Sequence, residues 1–382
     1  MSSKNIIADV FLEVANAIES GDFGPKVRIG LTTLGSEHGV ENLVKGAELA
    51  KSKLFDIVLI GPKVDTDLEI VEVNEESEMH KKMEELLDSK YIDACVTMHY
   101  NFPIGVSTVG RVLTPGRGKE MILATTTGTS ATNRIEAMIR NAVYGISAAK
   151  SIGIENPKVG ILNVDGARQV EKFLKELQSN GYGIEFAESM RADGGCVMRG
   201  NDLLAGTPDV MVTDTLTGNL LMKVFSSFTT GGDFESQGFG YGPGVGEDYD
   251  RKIFIVSRAS GSPVVANALK YAYEAVLGNV SDIARNEYAD AKKAGLDNII
   301  ASLNAKKEDK GEAEEVKMPD KEVVTHQIAG VDIMELDDAV ETLWKKGIYA
   351  ESGMGCTGPI VLVNEAKGEE AAAHLKEAGF IA

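Results

Sequence analysis

The sequence predicts an α/β fold: two mostly parallel-sheet α/β domains with a cleft between them. Three observations predict it. Short apolar, β-branched runs alternate with helix-period segments, the pattern of strands buried on both faces and joined by crossover helices. The pattern restarts near residue 150. The chain has 382 residues, more than one typical domain, and its 43% hydrophobic content supplies apolar side chains for two cores.

Residues 1–20 read as an amphipathic helix; acids interrupt it, and it has no apolar core like that of a signal peptide. VRIGLTT (27–33) reads as a strand, followed by the glycine-bearing loop LGSEHGVEN and a helix over 40–52. FDIVLIG (55–61) is a strand, 76–89 a helix, YIDACVTMH (91–99) a strand, GKEMILATTTG (118–128) a strand and 131–153 a long helix. PKVGILNVDG (157–166) restarts the pattern, and both 208–227 and 251–278 read as strand–loop–helix. The chain closes with a helix over 330–347, a loop carrying Cys356, a strand and a helix over 368–379. This regular βα ending is assigned to the first sheet. The expected domains are 1–148 plus 323–382, discontinuous, and 149–303. The charge run 304–322 is a solvated linker or insertion. The glycine-rich 229–250 reads either as a mobile cover on the cleft or as a long surface loop.

A formal charge of −19 argues against a nucleic-acid or anionic-membrane surface. It leaves room for a small anion in a local pocket. No apolar run approaches the roughly 20 residues of a membrane span. Three scattered cysteines without CxxC disfavour a disulfide framework or a zinc site, and a reducing cytoplasm fits. No metal or dinucleotide motif is present, so neither cofactor is expected.

Ligands of open α/β sheets bind at the carboxyl ends of strands, so the loops 34–39, 98–109, 125–134, 214–219 and 257–263 are the candidates. In TTTGTSATNR (125–134), Gly128 allows close backbone approach, Ser130 and Thr132 donate hydrogen bonds, and Arg134 opens a helix whose N-terminus favours an anion. That is a phosphate or carboxylate cradle; ordinary capping by Ser130 or Thr132 is the alternative. Asp214, Thr215, Thr217 and Asn219 crowd a second strand-to-helix loop, as a ligand site or as capping by Thr217 or Asp214, and Arg258 ends a third strand as either an anion ligand or a surface arginine. Glu37, His38, His99 and Asn101 stand at strand ends as acid/base or cleft candidates, with a solvated loop histidine as the bland reading. Cys356, between glycines in ESGMGCTGPIVLV, sits in a loop open to an incoming group; Cys95 lies in an apolar strand, and Cys196 is ambiguous.

GIENPKVGILNVDG (153–166), GNDLLAGTPDVMVTDTLTGNLLMK (200–223) and LGSEHGVENLVKGAELA resemble the phosphate acyltransferases of bacterial phospholipid synthesis. VSRASG is similar to the more distant phosphotransacetylases. The resemblance implies an isocitrate/isopropylmalate dehydrogenase-like architecture. The chain departs from the phosphate acyltransferases at GSE in the early loop, at Ser130 and Thr132, in the charge run 304–322 and at Cys356. With GMGCTGP, the whole resembles the family of glycine/sarcosine/betaine reductase protein C alpha subunits. That resemblance implies a catalytic thiol at Cys356, which carries an acetyl thioester, and inorganic phosphate as the substrate that takes the acetyl group as acetyl phosphate. It implies a thiolase- or ketoacyl-synthase-like beta subunit and selenoprotein A as partners, in an oligomer. The rival expectations are an acyl-carrier-protein:phosphate acyltransferase, with no need of Cys356, and a non-catalytic scaffold subunit.

Overall fold

The computed structural model describes residues 11, 26–192, 194–308, 316–332, 335–355 and 358–381. Apart from residue 11, the helix expected over 1–20 lies outside them. So does Cys356.

The strands expected from apolar runs form. In chain order all the strands, including several that were not expected, begin with β1 (Val27–Thr32), β2 (Phe55–Gly61), β3 (Glu69–Glu72) and β4 (Ala94–Thr97). β5 (Val106–Leu113), β6 (Glu120–Thr129), β7 (Lys158–Leu162), β8 (Glu185–Phe186), β9 (Val197–Met198) and β10 (Val210–Val212) follow. β11 (Gly242–Val245) and β12 (Ile253–Ile255) complete one 12-stranded sheet, ordered β3-β2-β1-β4-β12-β11-β5-β6-β10-β7-β8, with β9 beside β7. The runs β3-β2-β1-β4-β12 and β6-β10-β7-β8 are parallel. Between them, β11 and β5 form an antiparallel ribbon that joins the two halves.

Strand side chains alternate between two apolar layers, as the period of two requires. Ile122, Ala124, Val210 and Val212 face one layer. Met121, Leu123 and Met211 face the other. The first layer is covered by α1 (Gly39–Ala50), α3 (Arg134–Ser151), α4 (Ala167–Ser179), α7 (Ser262–Leu277), α8 (Val280–Lys293) and α9 (Leu296–Glu308). The second is covered by α2 (Glu76–Asp88), α5 (Gly200–Ala205) and α6 (Thr215–Ser227).

Three expectations change. First, β6 pairs with β10, and β12 returns to β4, so strand pairing does not divide the chain at 148/149. Second, 229–250 is neither a cover nor a surface loop along its length: 240–246 are buried, and β11 is a ladder strand. Its glycines serve close approach, since a Cβ on Gly242, at φ +81°, would stand 1.7 Å from the Val109 carbonyl oxygen. Third, the C-terminal strands do not join the first sheet. β13 (His326–Ala329), β14 (Ala350–Gly355) and β15 (Gly358–Val363) form their own antiparallel sheet, ordered β13-β15-β14. Only two residues separate β14 from β15, a connection too short for parallel pairing. With α10 (Leu336–Lys345) and α11 (Gly368–Glu377), this sheet encloses a separate core that includes Leu343, Ala350, Val361 and Leu375. The charge run also begins in a helix, because α9 continues to Glu308.

Among the described residues, no helix is long and apolar enough to cross a membrane.

Candidate functional site

Two groups of polar side chains stand at the carboxyl ends of parallel strands, one in each half of the sheet. In the second half, β6 and β10 deliver the chain to α3 and α6. Asn133 caps α3, its side-chain oxygen accepting from the amides of Ile135 at 2.9 Å and Glu136 at 3.2 Å. Asp214 caps α6, accepting from the Thr217 amide at 3.1 Å and the Thr217 hydroxyl at 2.6 Å. Arg134, in the first turn of α3, donates to Asp214 at 3.0 Å. One ion pair therefore draws two helix N-termini together, each with positive partial charge and with first-turn amides already capped by Asn133 or Asp214. Thr125 and Thr215 share a hydroxyl hydrogen bond at 2.9 Å, and Asn219 donates to the Thr126 carbonyl at 3.0 Å. The close seating of α6 on β6 requires Gly218, where a Cβ would lie 1.8 Å from the Thr125 carbonyl oxygen.

The expected cradle is brought together in part. Arg134, Asp214, Thr217 and Asn219 cluster. Gly128 lies on the same strand end, at φ +86°, paired with Ser107. Ser130 does not belong to the cluster: it is buried, 2.8 Å from the Ser107 hydroxyl and bonded to Asn141. Thr132 is exposed. Neither Ser130 nor Thr132 caps the helix, because Asn133 does. Arg134 is paired, yet 41% of its side chain stays exposed, so further guanidinium donors can meet a second anion.

The first-half group lies on the loops after β1, β4 and β12. The Glu37 amide donates to the Arg258 carbonyl at 2.9 Å, and His38 Nε2 lies 3.3 Å from the Ala259 carbonyl oxygen. Arg258 lies 3.6 Å from Glu76, both being half exposed. His99 is exposed, with its ring 5.9 Å from that of His80. Burial, and then the neighbouring His99, hold His80 below the usual histidine range. Asn101 is exposed. Among the described residues, no cluster of three or more His, Cys, Asp or Glu could hold a metal ion.

The two described cysteines are unsuited to nucleophilic work. Cys95 is fully buried in β4, and burial raises its pKa. Cys196 is 3% exposed, and burial beside Glu171 pushes its thiol up to about 12.

Residues 27–362 match the family model described as fatty acid synthesis protein. A protein of Peptoclostridium acidaminophilum, named glycine/sarcosine/betaine reductase complex component C subunit alpha, is 68% identical over 381 residues, 99% of each chain. The chain belongs to this component C alpha-subunit family. Its body is also related to the phosphate acyltransferases: that of Thermotoga neapolitana is 27% identical over 237 residues, 52% of this chain and 68% of the relative. A crystal structure of a branched-chain phosphotransacylase from Enterococcus faecalis V583 covers 65% of this chain and 99% of its own, at 18% identity and a TM-score of 0.47, a likeness too loose to carry function.

Within the component C alpha-subunit chain, sequence reasoning missed Asn133, Lys223 and Glu235. Lys223 follows Asn219 by one helical turn, a spacing that places both on one face of α6. Glu235 stood unmarked in a glycine-rich run, with no pattern to show that it is buried.

Proposed function

We propose that this chain transfers an acetyl group from a thioester on Cys356 to inorganic phosphate, forming acetyl phosphate. The observation that carries the reading is the junction of α3 and α6, where Arg134 and Asp214 bring two helix N-termini to one point in a chain 68% identical to a named component C alpha subunit. Positive helix ends, an exposed guanidinium and hydroxyl donors are the chemistry that holds phosphate. Arg258 supplies a second cation from the other half of the sheet. A phosphate oxygen attacks the thioester carbonyl, the C–S bond breaks, and the Cys356 thiolate leaves. The raised pKa values of Cys95 and Cys196 support assigning the thiol to Cys356. The acetyl group is supplied by a larger beta subunit and a selenoprotein partner, in keeping with the complex named for the relative.

The relation to phosphate acyltransferases favours a second reading, direct acyl transfer from an acyl carrier protein to phosphate without a thiol of this chain. Arsenate-dependent hydrolysis of acetyl phosphate by the full chain separates the two. Loss of activity in Cys356→Ala is expected; activity of that variant that appears on addition of acyl carrier protein points to direct transfer.

A further inference from the structure

The halves of the sheet are tied by a buried carboxylate. Glu235 lies on the segment between α6 and β11 and is 3% exposed. One carboxylate oxygen accepts from the Tyr241 hydroxyl at 2.9 Å and lies 4.0 Å from the Lys223 ammonium. The other accepts from the Ser260 hydroxyl at 2.8 Å. Ser260 Oγ in turn accepts from the Ser257 amide at 3.0 Å. The backbone repeats the tie: the Glu235 amide donates to Ala259 O at 3.0 Å, and the Gly261 amide donates to Glu235 O at 2.8 Å. Phe234, next in sequence, places its ring 5.9 Å from that of His38.

We propose that Glu235 is a positioning residue, which fixes the 257–261 loop and so the backbone that carries Arg258. This rests on the phosphate-binding reading above. A carboxylate this deeply buried is tolerated only when its lone pairs are satisfied, and here its partners come from both halves of the sheet. Lys223 and Tyr241 belong to the α6–β11 side, and Ser260 to the loop after β12. α6 also carries Thr217 and Asn219, with Asp214 as its cap, so Glu235 links the two groups of anion ligands. It touches neither substrate nor reacting atoms; it acts through the loop.

The test compares full-length wild type, Glu235→Ala and Glu235→Gln by amide hydrogen exchange and by the arsenate KM in acetyl-phosphate hydrolysis. In Glu235→Ala, exchange over 257–261 accelerates while β1 and β4 keep their protection. The arsenate KM rises about tenfold with kcat within about twofold, the signature of lost ground-state binding. Glu235→Gln keeps an oxygen acceptor and restores both readouts. If Glu235→Ala does not fold, Ser260→Ala, which removes only the loop's side of the bond, carries the same expectation. Unchanged exchange overturns the proposal, whether or not wild type turns over acetyl phosphate. Faster exchange with an unchanged KM makes Glu235 a brace only and overturns it equally. Inactive wild type with faster exchange keeps the tie and instead removes the phosphate-binding reading on which the rest depends.

Discussion

Arg134 and Asp214, 80 residues apart in sequence, meet at 3.0 Å where two helices begin. Asp214 is both the cap of its own helix and the counter-ion of the other. Its substitution therefore separates two functions. Asp214→Asn keeps a good capping side chain and loses the charge, so stability should hold within about 0.5 kcal/mol while phosphate use changes. Asp214→Ala should cost about 0.5–2 kcal/mol of stability as well. Denaturant melts of both variants beside their arsenate kinetics check this.

Arg134→Ala should raise the arsenate KM by about tenfold or more, from the loss of a charge-assisted contact. The pair is partly exposed, so removing it should cost less than about 1 kcal/mol of stability. A large loss of stability with unchanged KM would make the pair structural.

Gly218→Ala puts a methyl group against the Thr125 carbonyl oxygen, within 1.8 Å in the present backbone. Backbone cannot yield as a flexible side chain does. A cost of about 1–3 kcal/mol is expected, with activity falling further because Asp214 and Asn219 move with α6. Thermal unfolding and turnover on one preparation read both effects.

Cys196 gives stability an alkaline limit. Its folded pKa is raised to about 12, so the folded state keeps a proton that the unfolded thiol releases at lower pH. The unfolded state then binds fewer protons, and stability falls as pH rises from the ordinary thiol range towards that value. The slope from one thiol reaches about 1.4 kcal/mol per pH unit. Cys95 acts in the same direction. Cys196→Ala should flatten part of the decline in denaturant melts taken above pH 9, the ordinary thiol value. A slope unchanged by the substitution would assign the decline to other groups.

The strands were legible wherever burial on both faces makes an apolar run, as in FDIVLIG and RKIFIV. β5 was not, because VSTVGRVL mixes hydroxyls, glycine and an arginine. The glycines of β11 read as freedom, whereas they are there for contact. The expectation that one closing strand and helix would join the first sheet came from local regularity; β14 was missed because AESGMG reads as part of the Cys356 loop. At the site, strand-end loops pointed to Arg134, Asp214, Thr217 and Asn219, since polar side chains there have few other uses. Ser130 misled because side-chain direction is not written in residue type. Glu235 was hidden for a further reason: its role comes from a contact with Ser260, 25 residues on in sequence.

The most direct test of the proposed chemistry is to incubate the full chain with acetyl phosphate, quench in acid and map acetylated peptides by mass. The mechanism predicts a hydroxylamine-labile acetyl group on the peptide containing Cys356, absent from those containing Cys95 and Cys196. Acetyl-phosphate turnover with no acetyl group on Cys356, or with one on Cys196, would contradict it.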